Sequence, residues 1–296
     1  MSKRDHSEIA VDVNELIQEP GKRRENGLPG ASVTDKLKKI QEAVWDNDGS
    51  DDFDYLEALL KEFNSAQRAR EGAQGVDCLK TVEALTYSFE VCTTVSTLTL
   101  ILAVLELLTR SPDGIAHALE AATVQLAAKA MRSYPAIEHL QVPGLKLLAN
   151  ISTENEEGLD AVISAGVHHI VPTALRGLPH CADVQGTGLK LLRNITEVDD
   201  ESAAVFRGGA VEIAVSAMKR FPDDEAVQAN ACGLFANLAI CEELDNVQLI
   251  IITSGAVEMA AAALKRHPDS ESVQEASLTL CRNIADIDEG RRALLA

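Results

Sequence analysis

The residues best able to do chemistry in this 296-residue chain are few and scattered. His168 and His169 stand side by side. They could ligate a metal, but adjacent residues on a helix point about 100° apart. They are therefore expected to be surface histidines in the first helical turn after Gly166. Paired acids occur at Asp199-Asp200 and Asp223-Asp224, and an acidic run spans Glu154 to Glu157. The aspartates are expected at helix starts, where carboxylates complement the positive end of the dipole. The glutamate run is expected to be a solvated loop. The cysteines are Cys78, Cys92, Cys181, Cys232, Cys241 and Cys281; none forms a CxxC pair, and no histidine stands at metal-ligand spacing from one. Buried, reduced thiols are the expectation. No GxSxG, HExxH or GxxxxGK[ST] segment is present. The chain is expected not to be an enzyme, with no catalytic, cofactor or metal site.

A second set of residues recurs instead. Asn150, Asn194, Asn237 and Asn283 lie in GLKLLANIS, GLKLLRNIT, ACGLFANLA and SLTLCRNIA, at steps of 44, 43 and 46. Four residues before each Asn stand Lys146, Lys190, Gly233 and Thr279; one before stand Ala149, Arg193, Ala236 and Arg282. The Asn and the residue four before it share a helix face. Residues three before (Leu147, Leu191, Leu234, Leu280) and one after (Ile151, Ile195, Leu238, Ile284) are apolar and face the core.

The elements that must hold these positions follow from other landmarks with the same period. Pro135, Pro179, Pro222 and Pro268 each precede one of the segments, and Gly166, Gly209 and Gly255 open similar stretches. After Gly209, residues Ala210, Ile213, Ala214, Ala217 and Met218 form one helical stripe. Phe221-Pro222-Asp223-Asp224 stops that helix and starts another over about Glu225 to Ile240. A shorter apolar stretch, Val247 to Ile252, precedes Gly255, which permits a left-handed turn. Each unit thus reads as one short and two longer helices. The pattern continues upstream in LEAATVQLAAKAMRSYP, with Ala122 in place of the glycine, and Thr97 to Leu108 reads as a degenerate final helix with Leu107 in place of the Asn.

These units resemble the armadillo repeat family, in the short helix, the Gly-Ala-Val turn, the helix ending before Pro-Asp, and the helix ending in Asn followed by Leu or Ile. The resemblance covers about Ala122 to Ala296 and favours armadillo over the related HEAT arrays. It implies an all-α, right-handed armadillo-type α-solenoid whose third helices line a concave groove. It also implies a groove role for Asn150, Asn194, Asn237 and Asn283 as hydrogen-bond partners of an extended peptide backbone, flanked by Lys146, Lys190, Arg193 and Arg282. The chain departs from the importin-α type, which places Trp four before the Asn; the single tryptophan here is Trp45, outside the repeats. A basic groove favours an acidic or phosphorylated extended segment, unless the four cations are only solvated surface. The expected function is a non-catalytic interaction scaffold for a protein partner. The alternative is a structural subunit of a larger assembly that uses the convex face and the N-terminal helices.

Composition narrows the classes. The chain has 27 Lys+Arg against 46 Asp+Glu, a net charge of −19, which argues against a nucleic-acid partner. Hydrophobic residues make up 46%, too many for a disordered chain. The longest apolar run, Val95 to Leu108, is too short for a bilayer span and contains Glu106, so no membrane is expected. The start MSKRDHSEIA resembles no secretory or transit segment, and the expected location is cytoplasmic, with the nucleus left open. Residues 1–50 read as a largely disordered extension containing Lys22-Arg23-Arg24 and one short amphipathic helix (Val33, Leu37, Ile40, Val44) with a capping box at Ser32 and Asp35. Residues 51–75 read as a cap or docking helix (Leu56, Leu59, Leu60, Phe63), and 76–296 as an array of about four to five units, the first degenerate and the last incomplete. The end at Ala296, inside or just after a short leading helix, reads as that of a fragment or as a tolerated short end, the alternative being that another molecule covers it. The oligomeric state is left open.

Overall fold

The computed structural model describes residues 94–295 other than 154 and 245, together with Val82, Leu85 and Thr86. The expectations for 1–50, 51–75, Trp45, Cys78 and Cys92 lie outside the described residues.

Fourteen α-helices run through the described residues, with no strand among them. They are α1 (Val95–Leu108), α2 (Pro112–Glu120), α3 (Thr123–Ser133), α4 (Glu138–Ser152), α5 (Glu156–Ser164), α6 (Val167–Gly177), α7 (Ala182–Ile195), α8 (Asp199–Arg207), α9 (Ala210–Arg220), α10 (Glu225–Ala239), α11 (Val247–Thr253), α12 (Ala256–Arg266), α13 (Glu271–Ile284) and α14 (Asp288–Leu295). α2–α4, α5–α7, α8–α10 and α11–α13 are four three-helix units. α1 stands as the third helix of a unit before them and α14 as the first helix of one after. The acidic run after Thr153 is not a loop throughout: Asn155 accepts from the Gly158 N–H at 2.9 Å as an N-cap, and Glu156 and Glu157 form the first turn of α5. Carboxylates there complement the helix dipole.

The second helix of every unit starts from a left-handed residue. Gly166, Gly209 and Gly255 have φ of 70°, 81° and 86°, and Ala122 holds the same place at 54°. An alanine there costs about 1–2 kcal/mol, so the turn is imposed by packing where the glycine is missing. Asp224 then caps α10, accepting from the Val227 N–H at 3.0 Å.

A buried glutamine fixes the angle between second and third helix. Gln141 Nε2 donates to the carbonyls of Met131 and Tyr134, Gln185 to Leu175 and Leu178, Gln228 to Met218 and Phe221, and Gln274 to Leu264 and His267, all at 2.8–3.1 Å. Each glutamine lies on a third helix and donates to one carbonyl in the last turn of the second and to one at its C-cap, the latter also accepting a backbone N–H of the following turn. The first helix crosses close behind. A Cβ on Gly114, Gly158 or Gly290 would lie 1.8–2.0 Å from the carbonyl oxygen of Leu108, Ile151 or Ile284.

Candidate peptide groove

The third helices pack side by side in the order α1, α4, α7, α10, α13. The leucines three before each Asn and the Ile or Leu one after are all fully buried, as the spacing predicts. The expected groove residues flank that buried stripe, and two of them, Asn194 and Asn283, are themselves buried.

The asparagines are spent differently from the expectation. Asn150 Nδ2 donates to Glu106 O (3.2 Å) and Thr109 Oγ1 (3.4 Å). Asn237 Nδ2 donates to Arg193 O (3.1 Å) and Thr196 Oγ1 (3.2 Å), and Asn283 Nδ2 to Ala236 O (2.9 Å). Each bonds the third helix of the unit before. Asn194 reaches the same level through Ser152 Oγ and Thr153 Oγ1, whose hydroxyls in turn donate to Ala149 O. An amide nitrogen has two hydrogens, so Asn150, Asn194 and Asn237 have no donor left for a ligand in this arrangement. What Asn150 and Asn237 still offer is Oδ1, which accepts nothing among the described residues. Asn230, two turns before Asn237, joins the same ladder by donating to Gly186 O at 3.1 Å. Neither Asn230 nor the glutamines stood out in the sequence, although the glutamines keep the asparagines' steps of 44, 43 and 46.

The four cations are not equivalent. Lys146 Nζ lies 3.5 Å from Asp183 Oδ2 on the next third helix, so its charge is partly matched. Arg282 is exposed and its Nε donates to Asn283 Oδ1 at 3.3 Å. Lys190 and Arg193, half-buried and one turn apart on α7, have no acid partner among the described residues. Arg193 lies across Gly233 of α10: a Cβ on Gly233 would meet its Nε, Cδ and Cζ at 2.6–2.9 Å. The missing side chain four before Asn237 is therefore the space that the guanidinium occupies.

Outside the groove, the histidine pair corrects the expectation of divergence. His168 Nε2 and His169 Nε2 lie 3.0 Å apart, with ring centroids at 3.9 Å. Burial, and then His169, push the His168 pKa below its ordinary value; Glu201 opposes them. Cys181, Cys232, Cys241 and Cys281 are free thiols. Burial pushes Cys232 up to about 11, which leaves it protonated and unreactive. No group of three or more His, Cys, Asp or Glu side chains among the described residues converges as metal ligands. No single helix among them is long and apolar enough to cross a membrane.

Comparison with solved structures returns armadillo arrays. A designed armadillo repeat protein aligns with a TM-score of 0.66 at 17% identity, covering 86% of this chain and 100% of its own. A second designed armadillo repeat protein, in complex with the peptide (KR)4, aligns at 0.62 and 17% identity, covering 86% and 100%. A structure titled for a conserved phosphorylation switch controlling the interaction between cadherin and beta-catenin aligns at 0.68 and 18%, covering 87% of this chain and 46% of its own. A search of curated protein sequences returns no match. The sequence profile of the LRRK2 ARM repeat family matches residues 63–289. With the profile spanning most of the sequence and the helices repeating in three-helix units, the chain belongs to the LRRK2 ARM repeat family of armadillo-repeat proteins.

Proposed function

We propose that the chain is a non-catalytic interaction scaffold that holds an extended, acidic or phosphorylated segment of a partner protein along its third helices. The observation that carries this reading is the pair Lys190 and Arg193. Like charges one turn apart on a helix cost a few tenths of a kcal/mol, and here nothing among the described residues neutralises them although the chain carries a net charge of −19. An incoming carboxylate or phosphate would relieve that repulsion and form charge-assisted hydrogen bonds. Asn150 Oδ1 and Asn237 Oδ1 would accept backbone N–H groups of the same segment. The armadillo relatives lend support at the level of peptide binding, one with a basic peptide and one with a phosphorylation-controlled partner.

The test is fluorescence anisotropy with three extended peptides of one sequence frame: acidic, phosphorylated and neutral. The acidic or phosphorylated peptide should bind more tightly than the neutral one. Binding should weaken with salt and fall at least tenfold in Lys190→Glu/Arg193→Glu. Equal binding of all three peptides, or no loss in the double variant, would sink the reading and turn attention to the convex face of an assembly subunit.

A further inference from the structure

Lys190 and Arg193 stand one turn apart on α7, both half-buried, and residues at that spacing hold their Cβ atoms about 5–6 Å from each other. Lys146, at the place of Lys190 on α4, meets Asp183. The α7 pair meets no carboxylate among the described residues. The wall beside it is built from small side chains. Ala229, Gly233 and Ala236 stand eight, four and one before Asn237 on α10, and all three are buried. Arg193 lies across Gly233, where an added Cβ would meet its Nε, Cδ and Cζ at 2.6–2.9 Å. One side of the guanidinium therefore faces packed protein instead of water. A low dielectric on that side strengthens attraction to an anion arriving from the other.

Charge and shape then select among anions. A carboxylate brings one negative charge and two oxygens, whereas a phosphomonoester brings about −1.5 to −2 at neutral pH and three oxygens. An arginine fork takes two oxygens of either group. A carboxylate so held has no third oxygen for Lys190 and leaves one of the two cations unmatched. A phosphate keeps an oxygen for the lysine ammonium and matches both charges. The surrounding field sharpens the choice. At a net charge of −19, a segment that gathers its charge from several acidic residues is repelled along its length. A phosphate concentrates the same charge at one residue, against the pair.

We propose that Lys190 and Arg193, backed by Gly233, form a phosphomonoester site that reads one phosphorylated residue of the partner segment in preference to Asp or Glu. The site depends on the groove reading above and narrows it: attachment to the scaffold is switched by phosphorylation of the partner. Gly233 sets where the guanidinium lies, because its missing side chain leaves the space.

The experiment is calorimetric titration of the full chain with an extended Gly-Ala-Ser peptide carrying phosphoserine, Asp or Ala at one central position. Phosphoserine should bind about tenfold more tightly than Asp. Arg193→Lys keeps the charge but loses the fork, and Lys190→Gln removes the third contact; each, with its fold checked by circular dichroism, should cut that preference below about threefold. Lys146→Gln, whose cation is already matched, should leave the preference unchanged. Inorganic phosphate at the peptide's concentration should not displace the phosphopeptide. Asp binding as tightly as phosphoserine, with both above Ala, would overturn the proposal while the groove reading stands. Equal binding of all three would overturn both. A preference that survives Arg193→Lys and Lys190→Gln would place the phosphate elsewhere, and displacement by inorganic phosphate would make a free anion the ligand; either result overturns the assignment.

Discussion

Gln228 shows how much a single side chain does in this array and how quietly. Its amide meets the carbonyls of Met218 and Phe221 at 3.0 and 2.9 Å while only 3% of the residue is exposed. Gln228→Leu should cost about 1–3 kcal/mol, because the buried Met218 carbonyl loses this donor without gaining water, whereas Phe221 O keeps the Asp224 N–H. Gln228→Glu should cost more, since a carboxylate would then face both oxygens. The same leucine change at Gln274, whose bonds are partly solvated, should cost less; urea unfolding of the three variants would rank them. Glutamine on a helix is unremarkable by type, so its role was not legible until the carbonyls it meets were seen. The asparagines were legible as a phase but not as a ladder, because sequence spacing does not say which of an amide's atoms is already used. His168 gives a residue-scale pH dependence. Its folded pKa lies below the unfolded value of about 6.5. As pH falls through 6.5 the unfolded chain takes up the proton first, so stability falls with pH until the folded histidine also titrates. His168→Gln should flatten that slope below about pH 6.5, read as Tm at each pH.

Helix boundaries were the most legible level. Proline punctuates every unit, and the αL turns at Gly166, Gly209 and Gly255 fall where the sequence placed them. Ala122 shows that the pattern survives loss of its signal residue. The start of α5 was misjudged because four charged or polar residues in a row read as loop, whereas Asn155 caps a helix within them. Packing between elements separates two glycines that look alike on paper. A Cβ on Gly188 would meet Leu175 Cδ2 at 2.6 Å and press into the core between α6 and α7. The three atoms nearest a Cβ on Gly233 all belong to the Arg193 side chain, which can swing away. Gly188→Ala should therefore cost about 1–3 kcal/mol. Gly233→Ala should leave stability within about 0.5 kcal/mol yet change acidic-peptide affinity by moving Arg193. Denaturation and anisotropy on the same two variants would distinguish these outcomes, and a large stability loss at Gly233 would show that the guanidinium is locked rather than merely lodged.

At the scale of the molecule, charge is the dominant unbalanced quantity. A net charge of −19 works against compaction. Raising NaCl from about 10 to 150 mM shortens the screening length from roughly 30 to 8 Å and should raise Tm; a flat response would mean that local pairs such as Lys146–Asp183 and Arg266–Asp223 set the electrostatics instead. The solenoid class was readable from the repeat alone, since a period carried by three independent landmarks leaves little else. The detailed groove was not, because its character depends on which cation crosses to the neighbouring unit and which glycine makes room.

The bonding ladders also bear on how such a chain could come to exist. The glutamine clamps span seven and ten residues and stay within a unit, while the asparagine bonds span 41 to 47 and stop at its neighbour. A segment copied from one glutamine to the next would carry a full set of donors and acceptors into its new place and find matching ones on either side. Lengthening by tandem duplication would need no compensating substitution at the seam, so the ancestral gene could grow by one whole period and remain foldable at every step.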